Sequence, residues 1–159
     1  MTIKIIDNFL EKQYFNELED TILGPMFPWF FQKGIVSPYD GYSQFIHLFY
    51  TDYEPKTKYF GLIFPIFEIL GASSVVRSKA NLLIKTDNII QHDFHSDHPD
   101  CTTAILYLNT NNGKTIFEDG TEVESIANRL IVFNSNQKHT GTTCTDEYNR
   151  VVINFNYHV

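Results

Sequence analysis

At 159 residues and 43% hydrophobic content, the chain has the length and apolar fraction of one ordinary domain, read here as a single unit over 1–159. Twelve Lys and Arg against nineteen Asp and Glu give a formal charge of -7, which argues against a broad electrostatic grip on nucleic acid or anionic lipid. The start MTIKIIDNFLEKQ has no signal core, no run approaches the ~18 apolar residues of a membrane span, and Cys101 and Cys144 are too few for a disulfide framework. The expectation is a soluble cytoplasmic protein with free thiols and with neither nucleic acid nor membrane as partner.

Along the chain, a mixed front half (1–77) gives way to a strand-dominated back half (78–159). Leu10, Tyr14, Phe15, Leu18 and Ile22 recur at helical spacing and predict a helix over 8–23, capped by Asn8 and stopped by Gly24-Pro25. The segment FPWFFQKG, residues 27–34, carries the single tryptophan and predicts a buried aromatic satellite with a side chain free to stack on a ligand. A second helix is expected over 57–70, with Pro65 as a kink or a shifted start.

From Ser78 onward, strand-length apolar runs alternate with turn signals: KANLLIKT, NIIQHDFH, TTAILYLN, KTIFE, TEVES, RLIVFN and RVVINFNY. Asn112-Gly113 and Asp119-Gly120 are tight-turn signals, the latter between two strand-like pieces. Short strands at close spacing, following helices, predict a mainly β antiparallel sandwich or barrel with helices packed outside.

The stretch QHDFHSDHPD, residues 91–100, holds two overlapping His-x-Asp pairs, His95/Asp97 and His98/Asp100. Residues i and i+2 of a strand point the same way, so such a pair can offer two ligands to one cation. Two imidazoles and one carboxylate hold Fe(II) on one side and leave about three positions open. Continuing the strand from Asn88 puts Asp93, His95 and Asp97 on one face, while Pro99 constrains the second pair, so geometry favours His95 and Asp97. The third ligand must come from elsewhere: His139, directly after the strand RLIVFN, is preferred over His158 near the end and over His47 among apolar neighbours. His92 and His98 are then expected at the surface or the mouth, with Asp93 as a candidate hydrogen-bond partner for a ligand.

Eleven residues after His139, Arg150 opens the last strand. Alternation puts Arg150, Val152, Asn154 and Asn156 on one face and Val151, Ile153, Phe155 and Tyr157 on the other. An inward guanidinium calls for an anion, which its fork binds bidentately. The competing reading is a surface ion pair with Asp146 or Glu147.

Taken together, His95-Ser96-Asp97, TTAILYLN, NNGKTIF, RLIVFNSNQKH and Arg150, in this order and spacing over about residues 78–157, resemble the 2-oxoglutarate- and Fe(II)-dependent oxygenases, in particular the prolyl hydroxylase-like branch. The resemblance implies a double-stranded β-helix, a distorted jelly roll, with iron on His95, Asp97 and His139. It also implies that Arg150, Tyr107 and Thr115 bind the distal carboxylate of 2-oxoglutarate; Asn154 is assigned to the cosubstrate with them. The implied activity is dioxygen-dependent hydroxylation of an unactivated C–H in a peptidyl proline, another amino-acid side chain or a free small molecule. Two departures stand out: Asn112 replaces the first glycine of the family's Gly-Gly-x-Thr turn, and Asn156 replaces a bulky aromatic near the end of the last strand. The alternative is a non-enzymatic jelly-roll or cupin-like binding module, although the chain has no His-x-His pair.

Overall fold

The back-half runs pair into antiparallel sheets, and the front half extends them. The computed structural model describes residues 2–159. In chain order the elements are β1 (Lys4–Ile6), α1 (Lys12–Ile22), β2 (Phe30–Lys33), β3 (Ser43–Thr51), β4 (Glu54–Pro55), α2 (Phe60–Ile69), β5 (Ser74–Ile84), β6 (Thr102–Tyr107), β7 (Lys114–Phe117), β8 (Glu122–Glu124), β9 (Leu130–Asn134), β10 (His139–Gly141) and β11 (Asn149–His158). The large sheet runs β1-β9-β6-β11-β5-β3-β2 with β4 added to β3, and a small sheet runs β10-β7-β8. No described helix is long and apolar enough to cross a membrane.

The two faces of the large sheet do different work, as period-2 alternation requires. Ala104 and Leu106 of β6 join Val151, Ile153, Phe155 and Tyr157 of β11 in a core closed by Phe15, Leu18 and Ile22 of α1 and by Ile63, Ile66 and Phe67 of α2. On the other face Ile105 and Tyr107 of β6 pack with Phe117 and Val123 of the small sheet and with Ile131, Phe133 and Val152. The division expected for β11 is thus observed. It leaves the Arg150 face directed between the two sheets.

Two expectations need correction, and α2 is shorter than the expected 57–70. Helix α1 starts at Lys12, because Asn8 has a positive φ of 50° and the Glu11 carboxylate instead caps the Gln13 and Tyr14 amides. Helix α2 continues through Pro65, which removes one amide donor from its interior. Residues 88–95 do not form a strand: the segment makes only isolated bridges, Gln91 with Thr142 and His95 with His139. His92 is buried there while Asp93 is exposed, so the inward positions 92, 95 and 97 break the alternation that a strand needs.

Of the two turn signals, Asp119-Gly120 joins β7 to β8, with Gly120 at φ 89°. Asn112-Gly113 serves a different purpose, described below. Of the aromatic side chains in the segment only Phe27 is buried, edge-on to Trp29 and Tyr59; Phe30 and Phe31 are exposed on the edge strand β2. Cys101 and Cys144 are free and buried.

Candidate active site

A cavity of about 400 Å³ opens between the sheets beside β5 and β11. His95 and Asp97 reach it from the irregular segment before β6, and His139 reaches it from β10. Their ligand atoms lie within 4.8 Å of one another, a span one cation can bridge. Backbone pairing sets this distance: the His95 amide donates to the His139 carbonyl at 3.0 Å and the His139 amide returns the bond at 2.9 Å.

Each of the three side chains is oriented by the chain around it. The Gln137 carbonyl lies 3.1 Å from His139 Nδ1 and can only accept, so the proton sits on Nδ1 and the lone pair on Nε2. Asp97, whose side chain is 3% exposed, accepts from Thr103 Oγ1 at 3.1 Å and Asn156 Nδ2 at 3.0 Å through one oxygen. Its other oxygen lies 4.0 Å from His95 Nε2 and 3.8 Å from Arg77 Nη2. Burial opposes the Asp97 charge, but His139, the Asn156 amide, Arg77 and His95 together hold its carboxyl below the usual range. Burial, reinforced by His139, lowers the proton affinity of His95 and favours the neutral ring that a metal needs. His95 Nδ1 is buried without a partner. The donor set of two imidazoles and one carboxylate fits a ferrous ion.

The remaining histidines are placed elsewhere. His47 packs among Phe27, Phe49 and Tyr59 with Nδ1 2.8 Å from the Pro28 carbonyl, which makes it a core residue. His98 sits at the cavity wall, while Asp100 is exposed and accepts from the Asn136 amide at 3.1 Å, so that pair is split. His158 ends β11 and is exposed. Asp93 makes no hydrogen bond to His95 or His139 through its carboxylate. Against expectation, His92 is buried in the cavity wall, edge-on to Tyr42 at 4.7 Å, with neither ring nitrogen bonded.

At the inner end lies Arg150, 4% exposed. Among the described residues no carboxylate comes within 4 Å of it, so the surface pair with Asp146 or Glu147 is ruled out. Its Nε donates to Ser125 Oγ at 2.8 Å and its Nη2 to Thr115 Oγ1 at 3.0 Å. The Tyr107 phenol also donates to Thr115 Oγ1, at 2.7 Å, which leaves the Thr115 proton free to face the cavity. Tyr107 itself is fully buried behind Thr115 and does not line the cavity.

Two glycines make room for this guanidinium. A Cβ on Gly113 would lie 2.6 Å from Arg150 Cδ and 2.9 Å from the Thr143 carbonyl, and one on Gly141 would lie 3.0 Å from Nη1. Gly113 is thus required for close approach, without a positive φ. Asn112 in turn is tied to the next loop through Thr145 and Asp146. Asn154, on the Arg150 face, lines the cavity with its Oδ1 unpartnered.

Two side chains that the sequence reading did not single out complete the wall. Arg77 and Lys79 project from β5, register partners of Asn156 and Asn154. Burial, and then Arg77, bring the Lys79 ammonium down to about 8 against the opposing pull of Asp97. Their i,i+2 spacing was visible in RSKANLL, but nothing in that run distinguishes inward cations from a solvated face. Across the opening, the Asp40 carboxylate accepts from the Ile35, Val36, Ser37 and Tyr42 amides, which fixes the loop that carries Ile35 and Val36 to the cavity.

No family model and no curated protein matches this chain. Solved structures do. A 2OG-Fe(II) oxygenase family oxidoreductase from Burkholderia pseudomallei is 12% identical with a TM-score of 0.76, over 98% of this chain and 84% of that one. A prolyl hydroxylase from Trichoplax adhaerens, solved with a hypoxia inducible factor oxygen degradation domain peptide, is 17% identical with a TM-score of 0.67, over 98% and 83%. A Pseudomonas putida prolyl-4-hydroxylase is 15% identical with a TM-score of 0.58, over 99% and 92%. Nearly the whole chain is covered in each case, and it has the double-stranded β-helix fold of these oxygenases.

Proposed function

We propose that this protein is a Fe(II)- and 2-oxoglutarate-dependent dioxygenase that hydroxylates an unactivated C–H of an amino-acid side chain, with a peptidyl proline among its substrate types. One observation carries this reading: a single cavity holds a two-histidine, one-carboxylate set at one end and a buried guanidinium without a counter-ion at the other. When bound, iron with 2-oxoglutarate and dioxygen supplies oxidative decarboxylation to succinate and carbon dioxide, coupled to insertion of oxygen into the C–H bond.

The chain's own share is binding, orientation and exclusion of water. His95, Asp97 and His139 hold the metal on one side and leave the cavity side open for the cosubstrate and oxygen. Arg150 takes the distal carboxylate of 2-oxoglutarate, and the Thr115 hydroxyl donates its free proton to the same group. Tyr107 acts through Thr115 as a positioning residue, since its phenol satisfies one acceptor site there. Asn154 lies between this end and the metal end and offers its amide to the cosubstrate chain.

Anaerobic Fe(II) and 2-oxoglutarate should give a weak visible charge-transfer band that vanishes in His139→Ala. Absence of both that band and succinate formation in reconstituted wild-type protein would refute the oxygenase reading in favour of a non-enzymatic binding module.

A further inference from the structure

The cavity carries more positive charge than the proposed chemistry uses. Arg77, Lys79 and Arg150 all line it, and Asp97 is the one carboxylate among the described residues that does so. On the oxygenase reading, the divalent metal and Arg150 are matched by Asp97 and the doubly charged cosubstrate. Arg77 and Lys79 then have no counter-charge.

Their surroundings make this costly. They stand two positions apart on the same face of β5, where like charges repel. Arg77 Nε is buried with no hydrogen-bond partner, and Arg77 Nη2 is 3.8 Å from Asp97, beyond hydrogen-bonding distance. Lys79 makes no ion pair and no side-chain hydrogen bond among the described residues. The strand partners of both on β11 are the neutral side chains Asn156 and Asn154, each with an unpartnered buried Oδ1. His98, at the same wall, adds no negative charge. Two half-buried cations without an anion destabilise the fold unless a ligand completes them, because desolvation is borne without compensating attraction.

We propose that Arg77 and Lys79 form an oxyanion subsite that holds a carboxylate or phosphate of the substrate beside the metal ligands. The reading rests on the oxygenase assignment and deepens it: the hydroxylated residue or molecule carries an anionic group a short distance from the C–H that reacts. Arg77 presents a planar fork suited to two oxygens, and Lys79 adds a point charge alongside it. Asp97 Oδ1 faces Arg77 Nη2 at 3.8 Å, but on the oxygenase reading that carboxylate serves the metal, and its other oxygen is taken by Thr103 and Asn156.

The test is calorimetric binding to the Mn(II)-loaded protein with saturating 2-oxoglutarate under anaerobic conditions, so that Arg150 is occupied and no turnover occurs. The probes are N-acetyl-L-aspartate N-methylamide with N-acetyl-L-asparagine N-methylamide, and N-acetyl-O-phospho-L-serine N-methylamide with N-acetyl-L-serine N-methylamide, each pair differing only in the side-chain charge. At least one anionic probe should bind about tenfold or more tighter than its neutral partner; which pair shows the preference distinguishes carboxylate from phosphate. Lys79→Met, which removes a side chain that bonds to no metal ligand, should abolish the preference, Lys79→Arg should retain it, and Arg77→Gln should reduce it about tenfold. Equal affinity within both pairs, or a preference undiminished in Lys79→Met, would overturn the subsite. A separate titration with 2-oxoglutarate reads the oxygenase assignment: failure to bind it refutes that assignment, and the subsite is then decided by whether Lys79→Met removes the probe preference of the Mn(II) protein, since a preference due to a vacant Arg150 would persist.

Discussion

Asp97 carries a charge in a nearly buried position because Thr103, Asn156 and two histidines surround it, and its partner His95 owes its place to a backbone bridge with His139. Metal affinity should therefore collapse in His95→Ala and in His139→Ala and survive in His98→Ala, as read by equilibrium dialysis with Fe(II) under anaerobic conditions. At the other end of the cavity, Arg150→Gln should weaken 2-oxoglutarate binding by about ten- to a hundredfold, since a charge-assisted fork is lost from a buried site, with metal affinity unchanged. These residues were legible because each follows from a simple rule: a His-x-Asp pair, a histidine after a strong strand, a cation on the inward phase of the last strand. His92 was not, because the segment around it makes only isolated bridges and follows no strand periodicity. Arg77 and Lys79 escaped for the opposite reason, since cations two apart on a strand ordinarily mark its solvent face.

Strand β11 organises the site, with β5 and β6 as its neighbours and its two faces split between core and cavity. Its two faces fall in the phase that alternation suggested, with Val152 the apolar member of the Arg150 face, although Arg150 to Tyr157 are all buried. The turn before β7 could not be read in this way. Asn112-Gly113 reads as a hairpin signal, yet its glycine clears the path of the Arg150 stem. Gly113→Ala should consequently behave as a remote Arg150 variant: 2-oxoglutarate binding falls, metal binding stays, and thermal unfolding shows a loss of about 1–3 kcal/mol, the usual cost of forcing extra volume into a packed site. A variant that bound 2-oxoglutarate normally would show that the Thr143 carbonyl and the Arg150 stem can move aside. Helix α1 was legible in its buried face but misplaced at its start, because a left-handed Asn8 belongs to the turn that precedes the Glu11 cap.

Over the whole molecule, buried histidines tie stability to pH. Burial holds His47 below its ordinary 6.5, only partly offset by the Pro28 carbonyl, and burial also lowers His92. A group that is harder to protonate when folded leaves the unfolded chain with more bound protons in acid, so stability rises with pH. The contribution is complete above about 6.5 and is lost as pH falls towards the folded values. The thermal midpoint should thus be lower at pH 5.5 than at pH 7.5, and His47→Gln should narrow that difference; an unchanged pH dependence would exclude His47 as a source. The double-stranded β-helix itself was legible from strand spacing joined to the five motif pieces, whereas the contribution of β1, β2 and β3 to the large sheet was not, since β1 and β2 have only 3 and 4 residues and the 9 residues of β3 carry apolar side chains in both phases.

The bridge between His95 and His139 has one more consequence. It joins a segment without regular structure to the small sheet, while Asp97 is bonded to β6 and β11 of the large one. A metal ion on these three side chains would act as a cross-link that closes one end of the sandwich, so that loading stabilises by mass action and by shortening an open loop. Chelation should then accelerate amide hydrogen exchange across residues 88–101 and 135–143 and leave β6 and β11 protected. The same three atoms proposed to hold the oxidant's metal would be the latch of the fold.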